Sequence, residues 1–209
     1  MILLNEKLWF PPIEEAMEDG LLAIGGDVNP ERLKLAYSKG IFPWFDGDIP
    51  LWWSPDPRFV LFPGNLVIAK SMRPILRNLK YQFRLNTAFE EVMRNCMQIN
   101  RKAQDGTWIS EALIQSFLIL HQQGLAYSAE CWENNELIGG LYGIRMGNLF
   151  FGESMFAKKS NASKYAFIHY VQQLEKEGVV LIDCQVYTEH LESLGAEMIS
   201  REAFLRWLA

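Results

Sequence analysis

Two short stretches set polar side chains where apolar strands are expected. In Val180-Leu181-Ile182-Asp183-Cys184-Gln185-Val186 the strand period of two puts Asp183 and Gln185 on one face. Glu153 is an acid inside the aromatic and Met-containing run Leu149-Phe150-Phe151-Gly152-Glu153-Ser154-Met155-Phe156. A buried carboxylate or amide is costly unless partnered, so polar groups must meet these side chains. Two readings stand at this level. One is a structural network, with Asp183 accepting from backbone amides. The other is a pocket whose apolar walls (Met155, Trp108, Ile182) hold an apolar group while Glu153, Asp183 and Gln185 orient a reacting polar one.

Other chemistries lack their residues. The 209-residue chain has no P-loop, GxGxxG, HExxH or GxSxG, and Gly139-Gly140-Leu141-Tyr142-Gly143 suits a close-packed strand better than a phosphate cradle. His121, His169 and His190 lie in separate segments without ligand spacing, and Cys96, Cys131 and Cys184 make neither a CxxC pair nor a zinc spacing. No metal is expected, and the cysteines read as buried thiols in a reducing compartment. Hydrophobic residues make up 49% and charged residues 22%, which excludes a disordered or collagen-like chain. No run approaches a membrane span, and Met1 to Glu6 lacks a basic start and apolar region, so a cytoplasmic protein is expected.

The elements that must position these residues have marked ends. Asn29 as cap, Pro30 at the first helical position and Gly40 as stop define a helix in the Trp-, Pro- and Gly-rich first 60 residues. After about residue 62 helix and strand patterns alternate, which places a domain boundary near Pro63-Gly64. Thr87-Ala88-Phe89-Glu90 has the form of a capping box, and Ser110 to Gln123 reads as a helix closed by Gly124. Strands over 125–132, 136–145 and 148–153 form an antiparallel meander. A long helix over 161–177, the strand at 179–186 and short segments at 188–194 and 200–208 follow.

Net charge is −5, yet residues 57 to 89 hold Arg58, Lys70, Arg73, Arg77, Lys80 and Arg84 without one Asp or Glu. Pro74 following Ser71 suits a helix start. At about 100° per residue, Lys70, Arg73, Arg77 and Lys80 then fall within an arc of about 80°. Such a face is either solvated surface or a contact for a phosphate backbone, which needs a row of positive charge and no base-specific geometry.

These segments together carry a resemblance. Leu21 to Asp27, Gly40-Ile41-Phe42-Pro43-Trp44-Phe45, Leu51 to Arg58, Gly106-Thr107-Trp108-Ile109, Phe151 to Phe156, Asn161-Ala162-Ser163-Lys164 and Leu181 to Gln185 look like the leucyl/phenylalanyl-tRNA–protein transferase family, in order from residue 9 to about 199. The resemblance implies an α/β (α+β) fold: a small N-terminal domain over 1–62, then a GNAT-like acyltransferase domain over 63–209 with a mixed, mainly antiparallel sheet flanked by helices. It also implies transfer of Leu, Phe or Met from aminoacyl-tRNA to proteins beginning with Arg or Lys, which marks them for the bacterial N-degron pathway. An aminoacyl ester is already activated, so no cofactor is implied, and a monomer is expected.

By the same resemblance, Asp183 and Gln185 sit at the amine and the carbonyl, and Glu153 helps to bind the reacting groups. A neutral amide is a poor base, which suits Gln185 to positioning rather than proton transfer. Trp108, Leu141, Met155, Tyr170 and Ile182 would line the aminoacyl side-chain pocket, where Met155 can adapt to different shapes. Trp52 and Trp53 would stack the terminal adenine of the tRNA, and Lys70, Arg73, Arg77 and Lys80 would contact its acceptor stem. Three rival readings are an acetyl-CoA enzyme, whose pyrophosphate loop has no match before Asn161, a non-catalytic RNA-binding module, and a peptidoglycan cross-bridge transferase.

Overall fold

A computed structural model describes residues 2–77, 80–98 and 109–208. In chain order the elements are β1 (Ile2–Leu4), β2 (Leu21–Gly25), α1 (Pro30–Ser38), β3 (Phe42–Pro43), β4 (Leu51–Trp53), β5 (Arg58–Leu61), α2 (Met72–Leu76), β6 (Tyr81–Leu85), α3 (Phe89–Gln98), α4 (Glu111–Gln122), β7 (Ala126–Glu133), β8 (Glu136–Met146), β9 (Leu149–Ala157), α5 (Ala162–Lys176), β10 (Leu181–Gln185), α6 (Glu189–Glu192), β11 (Glu197–Ile199) and α7 (Arg201–Leu205). They form a four-stranded sheet in the order β1-β2-β4-β3 and a seven-stranded sheet in the order β11-β5-β10-β9-β8-β7-β6. The larger sheet is antiparallel except where β10 runs parallel to β9. The fold is mixed α/β, as the sequence pattern indicates.

Local chemistry accounts for the element ends. Asn29 accepts from Arg32 N, Ser110 from Leu113 N and Ser200 from Ala203 N, each satisfying an amide that the helix itself leaves open. Asn134 and Asn135 both take positive φ (51° and 62°), the geometry of a two-residue hairpin, and join β7 to β8. A Cβ at Gly139 would lie 2.6 Å from that of Ala162, so this glycine lets α5 lie close on the sheet.

Three expectations are corrected. β5 belongs to the large sheet, so Pro63-Gly64 is a 3-10 turn inside the second unit and the division between the sheets falls before Arg58. The two units also share one core: Tyr37 and Trp52 from the first cluster with Val60, Phe117, Phe151 and Phe204 from the second. The basic helix stops early. α2 ends at Leu76 and Arg77 caps it, so Lys70 and Lys80 lie outside it and the four cations do not share one helical face. Finally, α3 has no reciprocal capping box, because Glu90 bonds Arg94 while the buried Glu130 accepts from Thr87 N and Ala88 N.

Candidate active site

The strand β10 brings Asp183 and Gln185 into the core, but not by simple alternation. Asp183 pairs with Val60 and Gln185 with the adjacent Phe59, a bulge, and Gln185 takes φ 67°. A left-handed residue without glycine is strained and persists only where its surroundings hold it. Here Asp183 Oδ1 accepts from Gln185 N at 2.9 Å. Asp183 is itself fixed by Arg58, whose Nε and Nη2 donate to its two oxygens at 2.8 and 2.6 Å. The guanidinium lies between the rings of Phe42 and Phe204, 4.6 and 4.7 Å from their centroids. Both charges are wholly buried, which is tolerable only because the pair is bidentate and stacked.

Glu153 sits at a second bulge. On β9, Gly152 pairs with Gly143 and Ser154 with Tyr142, leaving Glu153 as the extra residue. A Cβ at Gly143 would lie 2.1 Å from Phe151 O, so only glycine fits opposite this kink. Bulges re-aim side chains and end pairing, and both effects appear. The parallel pairing of β9 with β10 stops at Phe151 and Asp183. Beyond that point one side-chain bond spans the two strands: Gln185 Nε2 donates to Glu153 Oε1 at 2.9 Å.

Burial pushes the Glu153 carboxyl up to about 8; the nearby Asp183 charge adds to this, while interactions with Tyr37, Gln185 and Arg58 oppose it. Its Oε2 has no hydrogen-bond partner among the described residues. This is a carboxyl poised to change charge near neutral pH at the point where two strands part.

Leu141, Tyr170 and Ile182 are buried in the apolar cluster on the α5 side of the sheet, and Met155 is packed against it. Leu141 pairs with Met155 across β8 and β9, and Tyr170 stacks edge-on to Phe150 at 5.0 Å. These four therefore belong to one apolar cluster, and Ile182 precedes Asp183 on β10. Trp108 lies outside the described residues.

The tryptophan pair divides. Trp52 is fully buried, edge-on to Phe10 at 4.8 Å, with its indole N–H donating to Gly25 O at 2.9 Å, so neither ring face is open to a base. Its apolar packing overrides the expected stacking role. Trp53 is half-buried, donates to Trp44 O and has its ring 5.7 Å from that of Trp44, which is 37% exposed. Lys70, Arg73, Arg77 and Lys80 are all exposed.

Two residues of this site escape sequence reasoning. Arg58 is counted there with the basic stretch, although it lies in the buried strand Arg58-Phe59-Val60-Leu61 and supplies the partner that Asp183 requires. Tyr37 reaches the site from α1, a helix whose pattern reads only as packing. Among the described residues no group of three or more His, Cys, Asp or Glu could hold a metal ion, and no helix is long and apolar enough to cross a membrane.

Comparison with known proteins identifies the family. The family model described as Leucyl/phenylalanyl-tRNA protein transferase matches residues 60–209, and that of the family's N-terminal domain matches residues 26–56. The leucyl/phenylalanyl-tRNA–protein transferase of Christiangramia forsetii is 57% identical over 211 residues, covering 100% of both chains. That of Flavobacterium johnsoniae is 56% identical over 206 residues, 98% of this chain and 97% of its own. A GCN5-related N-acetyltransferase from Kribbella flavida superposes with a TM-score of 0.42 at 9% identity, over 84% of this chain and 63% of that one, too distant to bear on the assignment. The full-length relatives and the family matches show that the chain is an enzyme of the leucyl/phenylalanyl-tRNA–protein transferase family.

Proposed function

We propose that this aminoacyltransferase moves Leu, Phe or Met from the 3′ ester of aminoacyl-tRNA to the α-amine of proteins beginning with Arg or Lys, marking them for the bacterial N-degron pathway. The observation that carries the reading is the Glu153–Gln185 bond where the pairing of β9 and β10 ends, and an apolar cluster that includes Ile182 of β10 and Met155 of β9 supports it.

The chemistry follows from those groups. The acceptor nitrogen attacks the ester carbonyl, an N–C bond forms, and the C–O bond to the tRNA ribose breaks. One proton leaves the amine and one must reach the departing ribose oxygen. Glu153, held near 8, is matched to a terminal amine, whose ordinary value is about 7.7–8.0. Its carboxylate takes the first proton and returns it to the leaving oxygen, so a single group closes the balance.

Gln185 donates to Glu153 and keeps its own carbonyl oxygen to orient the amine. Asp183 is wholly buried against Arg58 and Gln185 N; it acts on the substrate through Gln185. Leu141, Met155, Tyr170 and Ile182, with Trp108, accept an aliphatic or aromatic side chain by size and shape. Exposed Lys70, Arg73, Arg77 and Lys80 meet the tRNA backbone through charge alone, and the half-exposed Trp53 is the remaining stacking candidate of the pair.

The test is to incubate the protein with radiolabelled Leu-, Phe- or Met-tRNA and model proteins beginning with Arg, Lys or Ser, without ATP or CoA. Label should enter only the Arg and Lys acceptors. Label in none of them, or equally in all three, contradicts the reading.

A further inference from the structure

Two buried oxygens without hydrogen-bond partners lie at one place. Tyr37 on α1 is wholly buried, with its ring edge-on to Phe151 at 5.2 Å, and Phe151 is the β9 residue paired with Asp183 where the strands part. The phenol and the Glu153 carboxyl act on each other electrostatically, yet neither Tyr37 Oη nor Glu153 Oε2 has a hydrogen-bond partner among the described residues. Buried polar atoms are rarely left so, and they concentrate where a ligand or a reacting group completes the set.

We propose that Tyr37 is a positioning residue of the transfer reaction: its phenol, brought from the N-terminal unit, turns the Glu153 carboxyl so that Oε1 meets Gln185 while Oε2 faces the attacking amine. This rests on the function proposed above and extends it to a residue in the other sheet unit. It also gives the shared core a purpose, because α1 must dock on β9 for the carboxyl to be held.

The groups facing Glu153 are Tyr37 from α1, Arg58 from β5, and Asp183 and Gln185 from β10; Tyr142 from β8 and Asp183 also face the phenol. Burial and Asp183 favour the neutral acid, whereas Tyr37, Gln185 and Arg58 favour the carboxylate. Removing only the phenolic hydroxyl therefore keeps Glu153 protonated to higher pH. Transfer that needs the carboxylate then loses rate at low pH and regains it at high pH.

The experiment compares the pH profile of kcat/KM for the wild type, Tyr37→Phe, Glu153→Gln and the double variant. Phenylalanine keeps the ring against Phe151. Tyr37→Phe should cost about tenfold at pH 7 and come within about twofold of the wild type above pH 9, as expected when the loss of the phenol raises the carboxyl by about one pH unit. In the Glu153→Gln background the same change should leave the profile unmoved. A uniform loss at every pH, or no loss, overturns the proposal. A carbon-13 NMR titration of the Glu153 carboxyl, assigned by its disappearance in Glu153→Gln, gives the same answer without turnover: the midpoint moves up in Tyr37→Phe, and an unmoved midpoint refutes the role. An inactive wild type would instead indict the assigned function.

Discussion

Glu130 on β7 and Glu153 on β9 are acids of the two strands that flank β8, yet they occupy opposite environments. Glu130 on β7 is wholly buried and accepts from five donors: Thr87 N at 2.9 Å, Ala88 N at 2.8 Å, Ser128 Oγ at 2.8 Å, Trp132 Nε1 at 2.9 Å and the Thr87 hydroxyl. It ties the start of α3 to the sheet. Among the described residues Glu153 Oε1 accepts from Gln185, Oε2 has no hydrogen-bond partner, and burial pushes the carboxyl up to about 8. Burial does not separate structure from chemistry here; the number of donors does. A carboxylate that meets many donors is held in one geometry as part of the fold, whereas one left short keeps an oxygen for a substrate.

Asp183 stands between the two cases, and breaking it should have the largest effect. Asp183→Ala leaves Arg58 charged, buried and without its carboxylate, and releases the Gln185 bulge. We expect a loss of about 3–5 kcal/mol in stability by urea unfolding, together with loss of transfer. A variant that stays stable but inactive would show that Asp183 serves the substrate and not the fold. Next in size is Glu130→Gln. It trades a charged acceptor for an amide that repels some of its donors and should cost about 2–3 kcal/mol, with transfer per folded molecule unchanged. Lost transfer in a fully folded variant would end the distinction drawn between the two acids.

Much of this was legible because it is local. Asn29 and Pro30, Ser110, Ser200 and the Asn134-Asn135 turn act on their own neighbours, so the sequence states their effect. Asp183, Gln185 and Glu153 stood out because polar groups in apolar strands need partners. What stayed hidden depends on the rest of the chain. A period of two puts Asp183 and Gln185 on one face, but it is blind to a left-handed Gln185 and to the bulge at Glu153. Charge counting groups Arg58 with a basic stretch, although the strand it begins lies between β10 and β11. Aromatic composition could not tell Trp52, sealed against Phe10, from Trp53 beside an exposed Trp44. The Pro63-Gly64 punctuation marks a turn as well as it marks a linker, and only the pairing of β5 decides between them.

A smaller effect sharpens the contrast through pH. The Glu153 carboxyl titrates near 8 in the folded chain and near 4.5 when unfolded. Between those values the folded state binds the extra proton, so its contribution is full below about pH 4.5 and is lost as pH rises to about 8. Partial exposure at the site limits the change to about 1–2 kcal/mol. Glu153→Gln should therefore flatten that part of the stability profile, as followed by melting temperature from pH 5 to 9. An unchanged slope would mean that the carboxyl titrates elsewhere.

The most direct test of the central claim, that Glu153 moves the proton across the β9–β10 opening, is the single-turnover rate of amide formation by Glu153→Gln at saturating Leu-tRNA, with tRNA affinity measured alongside. The rate should fall by about 10²–10⁴-fold while affinity stays within about twofold. An unchanged rate, or rate and affinity falling together, would contradict it.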